Sequence, residues 1–306
     1  MLNNQRINGI WKKNLNKFLN KNHGSTNSQI VFQSINTGKN LQLEECLFDE
    51  LLPYSLASSP ISSIEATDNV WIASSMLTRV SDTTENLVVI DEEFPVGIIG
   101  AREILKGIIQ NPTPYFFHDV LTKNVMNRKF YLDTRMAKLQ KLLEQMKHTK
   151  RIFSIIQNSK QSFSSISIRE ILEIGSFCKT NIQTSELPER KMKIFRRDDS
   201  VEDIIKSLLN DDTNVLMLEN ESLVIDQATI LEKINGDLNY LQNVENFLDL
   251  NASIFKFVSP KLIPDKLSLS EVCKTMLYMK HPYVMNSNRI WTPYDVLSAI
   301  SSDLQI

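Results

Sequence analysis

Apolar pairs set in helical patterns recur along the chain at Met76-Leu77, Leu142-Leu143, Leu208-Leu209 and Met276-Leu277, spaced by 66, 66 and 68 residues. Polar residues precede each pair: Thr67-Asp68, Asp133-Thr134, Asp199-Ser200 and Ser268. Their side-chain oxygens suit the unpaired N–H groups of a helix start. An extended apolar run follows each pair, at Leu87–Ile90, Ile152–Ile156, Val215–Leu218 and Tyr283–Met285. Next come a short polar turn and a second run, at Val96–Ile99, Phe163–Ile166, Leu223–Ile225 and Arg289–Trp291. Two short apolar runs about a compact polar turn predict a β-hairpin. A helical pattern closes each unit, over Ala101–Ile109, Ile168–Ile174, Gln227–Ile234 and Pro293–Ile300. Short runs such as Lys129–Leu132 and Met192–Phe195 predict a strand ahead of the first helix. The pattern thus predicts four units of about 65 residues, each ordered strand, helix, strand, strand, helix.

Composition narrows what such units can do. With 306 residues, 42% of them hydrophobic and 23% charged, the chain can bury a sizeable core. Glycine is scarce, at 8 residues, and nowhere forms G-x-G-x-x-G or G-x-x-x-x-G-K-[ST]. Folds that close a glycine-rich loop on phosphate are therefore not expected. Cys46, Cys178 and Cys273 lie far apart, so no C-x-x-C pair is present. Asp91, Glu92, Glu93, Arg102, Glu103 and Lys106 interrupt the longest apolar stretch, Leu87 to Ile109, which excludes it as a membrane span. The first residues lack the apolar region of a secretory signal, and the expected location is cytoplasmic.

The net charge of −2 is unevenly placed. Residues 1–43 hold six cations (Arg6, Lys12, Lys13, Lys17, Lys21 and Lys39) and no acid, which leaves 28 cations and 36 acids beyond them. Trp11, Leu15, Phe18 and Leu19 fall at helical spacing within this basic arm, residues 1–40. The arm reads either as a surface helix for nucleic acid, acidic lipid or an acidic partner, or as a helix laid by its apolar stripe on the acidic body. Catalysis finds little support. His23, His118, His148 and His281 have no metal-ligand spacing, no G-x-S-x-G elbow occurs, and the acid pairs fall in turns or at helix starts. Neither a catalytic site nor a metal site is expected.

The last hairpin runs into its helix as Arg289-Ile290-Trp291-Thr292-Pro293-Tyr294-Asp295. In the other units the corresponding segments are Gly97-Ile98-Ile99-Gly100-Ala101-Arg102-Glu103, Ser164-Ser165-Ile166-Ser167-Ile168-Arg169-Glu170 and Leu223-Val224-Ile225-Asp226-Gln227-Ala228-Thr229. Together with the repeat, these segments resemble the closing signature of the CBS domain, the cystathionine-β-synthase-type regulatory repeat. That signature is a glycine, two hydrophobic positions, Thr or Ser, two variable residues and Asp. The fourth unit departs from it by Arg289 for glycine, and the second by Ser164 for glycine and Glu170 for Asp. The first unit lacks the hydroxyl, and the third exchanges acid and hydroxyl.

The resemblance implies an α/β (α+β) protein of four CBS repeats in two pseudo-twofold pairs. The pairs would be residues 41–175 and 186–306, with Gly175 to Glu189 as a linker. It further implies a non-catalytic regulatory protein that needs no cofactor. Such a protein would bind an adenosine-containing ligand (AMP, ADP, ATP or S-adenosylmethionine) between paired repeats and signal by a conformational shift. The candidate contacts are Thr292 and Asp295, Ser167 and Glu170, with Arg169, Arg151 and His281 as neighbouring polar or cationic groups. A carboxylate can accept two hydrogen bonds from a ribose diol, and the helix start suits phosphate. The same Thr292/Asp295 and Ser167/Glu170 pairs also have the form of helix capping boxes. A homodimer is expected from the resemblance. The alternatives are a structural or adaptor protein with occluded clefts, or a nucleic-acid regulator acting through the basic arm.

Overall fold

The computed structural model describes residues 61–79, 85–177, 183–186, 191–211, 214–236, 241, 246–286 and 289–303. The basic arm lies outside the described residues. The first repeat holds β1 (Ser63–Glu65), α1 (Val70–Arg79), β2 (Asn86–Asp91), β3 (Phe94–Gly100) and α2 (Ala101–Gln110). Two short helices, α3 (Pro114–His118) and α4 (Thr122–Val125), lead to the second repeat. That repeat is β4 (Leu132–Thr134), α5 (Leu139–Thr149), β5 (Phe153–Ser159), β6 (Ser162–Ser167) and α6 (Ile168–Phe177). The third is β7 (Ile194–Phe195), α7 (Val201–Asn210), β8 (Val215–Leu218), β9 (Val224–Asp226) and α8 (Gln227–Gly236). The fourth is β10 (Lys261–Leu262), α9 (Leu269–Met276), β11 (Val284–Asn286), β12 (Arg289–Trp291) and α10 (Pro293–Asp303). The predicted order therefore holds in all four.

Each repeat makes one three-stranded sheet in sequence order, its first pair parallel and its second an antiparallel hairpin. The scarcity of glycine shows in the turns. Glu92 and Glu93 both take positive φ, 48° and 70°, at the tip of the β2–β3 hairpin. Two left-handed residues match the twist of a two-residue hairpin, a place usually given to Asn-Gly. Lys150, Asn214 and Asn220 fill other left-handed positions.

Ser200 and Ser268 cap α7 and α9 as expected, accepting from the amides of Asp203 and Glu271. In the second repeat the expected start is displaced. Asp133 and Thr134 lie in β4, and α5 begins at Leu139 behind Lys138. The predicted strand Lys129–Leu132 is shifted to Leu132–Thr134, where the chain pairs in parallel with Ile155–Gln157, and the buried Asp133 carboxylate accepts from Lys141 Nζ at 2.5 Å rather than capping.

Two kinds of contact join the repeats. Sheets join sequence neighbours: Val88 and Ile98 pack with Phe153, Ile155 and Phe163, and Val215 and Val224 with Tyr283 and Ile290. Helices join repeats two apart. Ile104, Leu105 and Ile108 of α2 share one core with Ile204, Ile205 and Leu208 of α7 and Ile230, Leu231 and Ile234 of α8. Each such side chain is essentially fully buried and stabilises by roughly 1.5–3 kcal/mol. Within this interface Asn235 accepts from Ser74 Oγ at 2.9 Å and donates to Ser74 O at 2.9 Å and Thr78 Oγ1 at 2.8 Å.

The second and fourth repeats meet through α6, α9 and α10. Gly175 and Ser176, expected in a linker, lie inside α6. A Cβ on Gly175 would stand 2.5 Å from Cys273 Sγ, so glycine lets the two helices approach. Of the remaining linker, 183–186 are described, and Thr184 is pinned to the fourth repeat by its amide to Leu267 O and its hydroxyl to Asp265 O. Four repeats thus close a ring of alternating sheet and helix contacts. Among the described residues no helix is long and apolar enough to cross a membrane.

Candidate functional site

Where each hairpin enters its closing helix, a motif acid turns back onto the first helical turn. Glu103 Oε2 accepts from the Gly100 amide at 3.1 Å, and Glu170 Oε2 from the Ser167 amide at 2.7 Å. Asp295 Oδ2 accepts from the Thr292 amide at 2.8 Å. In the third repeat acid and hydroxyl are exchanged, and the cap is reversed with them: Asp226 Oδ1 accepts from the amide and hydroxyl of Thr229, both at 2.7 Å. The capping boxes of Ser167 and Thr292 are only half formed. Both hydroxyls donate to their own carboxylate, at 2.5 and 2.9 Å, and so bind the acid more than they cap the helix.

The outward oxygens of these acids differ in what meets them. Arg151, just ahead of β5, crosses from the second repeat to the first. It donates through Nη2 to Glu103 Oε1 at 2.5 Å and through Nη1 to Asn86 Oδ1. Just ahead of β11, His281 and Tyr283 make the equivalent crossing from the fourth repeat to the third. His281 Nδ1 lies 2.8 Å from Asp226 Oδ2, and the Tyr283 hydroxyl donates to the same oxygen at 2.9 Å. Asp295 is met within its own repeat by Arg289, with Nη2 at 3.5 Å from Oδ1. Only Glu170 has no cation within ion-pair distance among the described residues.

The four motifs surround one cavity of about 160 Å³, walled by all four repeats. Six basic residues line it: Arg102, Lys150, Arg151, Arg169, Lys280 and His281. Three acids, Glu85, Asp226 and Glu232, face them. The volume lies below the ~300–1,000 Å³ of a drug-sized site, and the excess of cations suits an anionic group. Several of these cations are already engaged. Arg102 donates to Leu209 O at 2.6 Å and Asn214 Oδ1 at 3.2 Å, tying the first repeat to the third. Lys280 pairs with Glu232 at 2.8 Å. The Arg169 guanidinium makes no hydrogen bond or ion pair among the described residues.

Protonation follows from this crowding. Burial pushes Asp226 up, but the bond and charge of His281 and the contacts of Thr229 outweigh it and hold Asp226 below its ordinary range. Burial pulls His281 down, yet the bond to Asp226 and the charges of Asp226 and Glu232 raise it overall. Glu85 is an exposed residue at the edge of the cavity, with protein crowded about its carboxyl. Desolvation there, reinforced by Asp226 and opposed by Arg151, pushes it up to about 7.

Of the residues predicted from sequence, Arg151, Arg169 and His281 line this cavity together. Ser167, Glu170, Thr292 and Asp295 stand just outside its wall, at the start of the helices whose Ile168, Arg169, Pro293 and Tyr294 form that wall. Sequence reasoning missed Glu85, Asn86, Lys150, Asn214 and Tyr283. Their shared signal is position: each stands at or just before a central strand, as Arg151 does.

The fold is that of the CBS domain, in four tandem repeats paired two by two. A solved structure, protein MJ1225 from Methanocaldococcus jannaschii, proposed there as an archaeal homolog of g-AMPK, matches with a TM-score of 0.68 at 15% identity, over 79% of this chain and 96% of that one. An uncharacterized conserved protein from Pyrococcus horikoshii covers the same shares at 14% identity, with a TM-score of 0.48. The CBS-domain containing protein ATU1752 from Agrobacterium tumefaciens matches over 45% of this chain and 98% of its own, at 14% identity and a TM-score of 0.38. No known family's sequence model and no curated protein matches the chain.

Proposed function

We propose that this is a non-catalytic regulatory protein that binds an adenosine-containing ligand (AMP, ADP, ATP or S-adenosylmethionine) at the second repeat. One observation carries this reading: Glu170, alone among the four motif acids, meets no cation within ion-pair distance among the described residues, while the neighbouring Arg169 lines the cavity with no hydrogen bond or ion pair there, its charge acting on Glu173. Glu170 and Ser167 would take the ribose hydroxyls, and Arg169 the anionic part, with Arg151 and His281 shaping the cavity beyond. Ligand that favours one arrangement of the two pairs, 41–175 and 186–306, shifts the equilibrium by its differential affinity. The change would pass to a partner protein or across a homodimer, in a cytoplasmic setting.

Binding to the folded state must raise its stability, by about 2.7 kcal/mol at a hundredfold excess over Kd. The full chain is therefore melted with each of the four ligands. We expect a selective rise, lost in Arg169→Met and Glu170→Gln. Flat melting curves at millimolar ligand would overturn this reading in favour of an adaptor whose clefts are filled from within, which the ion pairs at Glu103, Asp226 and Asp295 favour.

A further inference from the structure

Asp295 differs from the other motif acids in that its own strand supplies the cation. Arg289 stands three residues before Thr292, where the CBS signature has glycine, and pairs with Asn286 across the β11–β12 hairpin. From there its side chain runs back over the motif. The guanidinium carbon lies 3.7 Å from the centre of the Trp291 ring, and Nη2 lies 3.5 Å from Asp295 Oδ1. Oδ2 is already committed to the Thr292 amide and hydroxyl, so both oxygens of this acid are engaged. The Arg289 side chain is 12% exposed and that of Asp295 8%, so loss of either partner would strand the other's charge away from water. In the second repeat the same motif position is Ser164, whose short side chain bonds Asn158 and brings no cation to Glu170.

The guanidinium is flat, carries several N–H donors and lies against an aromatic ring. It thereby meets the carboxylate as the hydroxyls of a bound ribose would. We propose that Arg289 is a built-in occupant of the fourth motif and closes it to the adenosine ligand proposed for the second. The inference rests on the adenosine reading and assigns the open cleft to the second repeat alone.

The test counts ligand equivalents bound to the full chain by equilibrium dialysis with AMP and with ATP. Wild type binds one equivalent. Arg289→Gly, and Arg289→Ser, which transplants the second repeat's residue, each bind two, and adding Asp295→Asn returns the count to one. One equivalent in wild type and still one in both folded Arg289 variants would overturn the built-in occupant and leave the second-repeat reading standing. None in wild type but one in the variants would support the occupant and overturn that reading. None in any protein would overturn both. Should the Arg289 variants not fold, wild type and Asp295→Asn decide the matter: two equivalents falling to one would show the fourth cleft open and overturn the proposal, whereas one equivalent in both supports it.

Discussion

His281 and Asp226 titrate as a pair, each moved against the direction burial alone would impose. His281 is raised above 6.5, so its contribution to stability is fully present below that pH and is lost as pH rises through the raised value. Asp226 is lowered beneath 3.8, so its contribution is present above that pH and disappears as pH falls through the lowered value. The pair therefore stabilises most between about pH 4 and 6.5. His281→Asn should cost about 1–3 kcal/mol near pH 6, towards the lower figure because Asp226 keeps Thr229 and Tyr283 as donors. The gap in melting temperature between variant and wild type should narrow by pH 9, and a constant gap would contradict the ion pair. Arg102 likewise ties the first repeat to the third. Its donors are spent on Leu209 and Asn214, so chemical denaturation of Arg102→Met should show a loss of about 1.5–3 kcal/mol.

Among the elements, α6 and α9 approach as closely as Gly175 permits. Alanine there gains about 1 kcal/mol of helix propensity but sets a carbon 2.5 Å from Cys273 Sγ. Overpacking at such a contact costs about 1–3 kcal/mol, so Gly175→Ala should destabilise. Cys273→Ala should relieve the tighter part of that penalty, leaving Ile300 Cδ1 at 3.1 Å and Cys273 Cβ at 3.5 Å as the nearest atoms. A double-mutant cycle in urea showing strict additivity would refute the contact.

The elements themselves were largely legible, because hairpin and helix each impose a short period and four copies repeat it. Val215–Leu218 and Arg289–Trp291 are strands over the very residues that the pattern predicts. Asp133 deceived because a carboxylate before a helical pattern suits either a cap or a lysine, and local sequence does not contain Lys141's choice. The site was legible at its motifs but not across them. Arg151 to Glu103 and His281 to Asp226 are contacts between repeats, 48 and 55 residues apart. They depend on how two sheets stack rather than on any spacing within a motif.

The ring of four repeats gathers charge around its cavity, and Glu85 registers it. A carboxyl raised from 4.5 to about 7 binds its proton more tightly folded than unfolded, so it withdraws stability as pH rises from about 4.5 to 7. Glu85→Gln should accordingly melt higher than wild type at pH 8 and little differently at pH 4.5. Equal melting at both would show that the cavity does not confine that charge. An anion bound among Arg151, Arg169 and Lys280 would gain from the same proton, so ligand affinity should weaken as pH rises through about 7, a dependence that Glu85→Gln removes.

The alternation of contacts also sets an order in time. Sheets join repeats that are neighbours along the chain, whereas the α2 face of Ile104, Leu105 and Ile108 is covered by α7 and α8. During synthesis the first two repeats leave the ribosome able to stack their sheets but with that helical face bare. It stays bare until residue 236 has emerged, an interval of about 3–12 s at ~5–20 residues per second. A fragment ending at residue 177 presents the same face permanently and should self-associate in sedimentation runs while the full chain covers it. The nascent half-ring is thus the stage of this protein's life most open to chaperone capture.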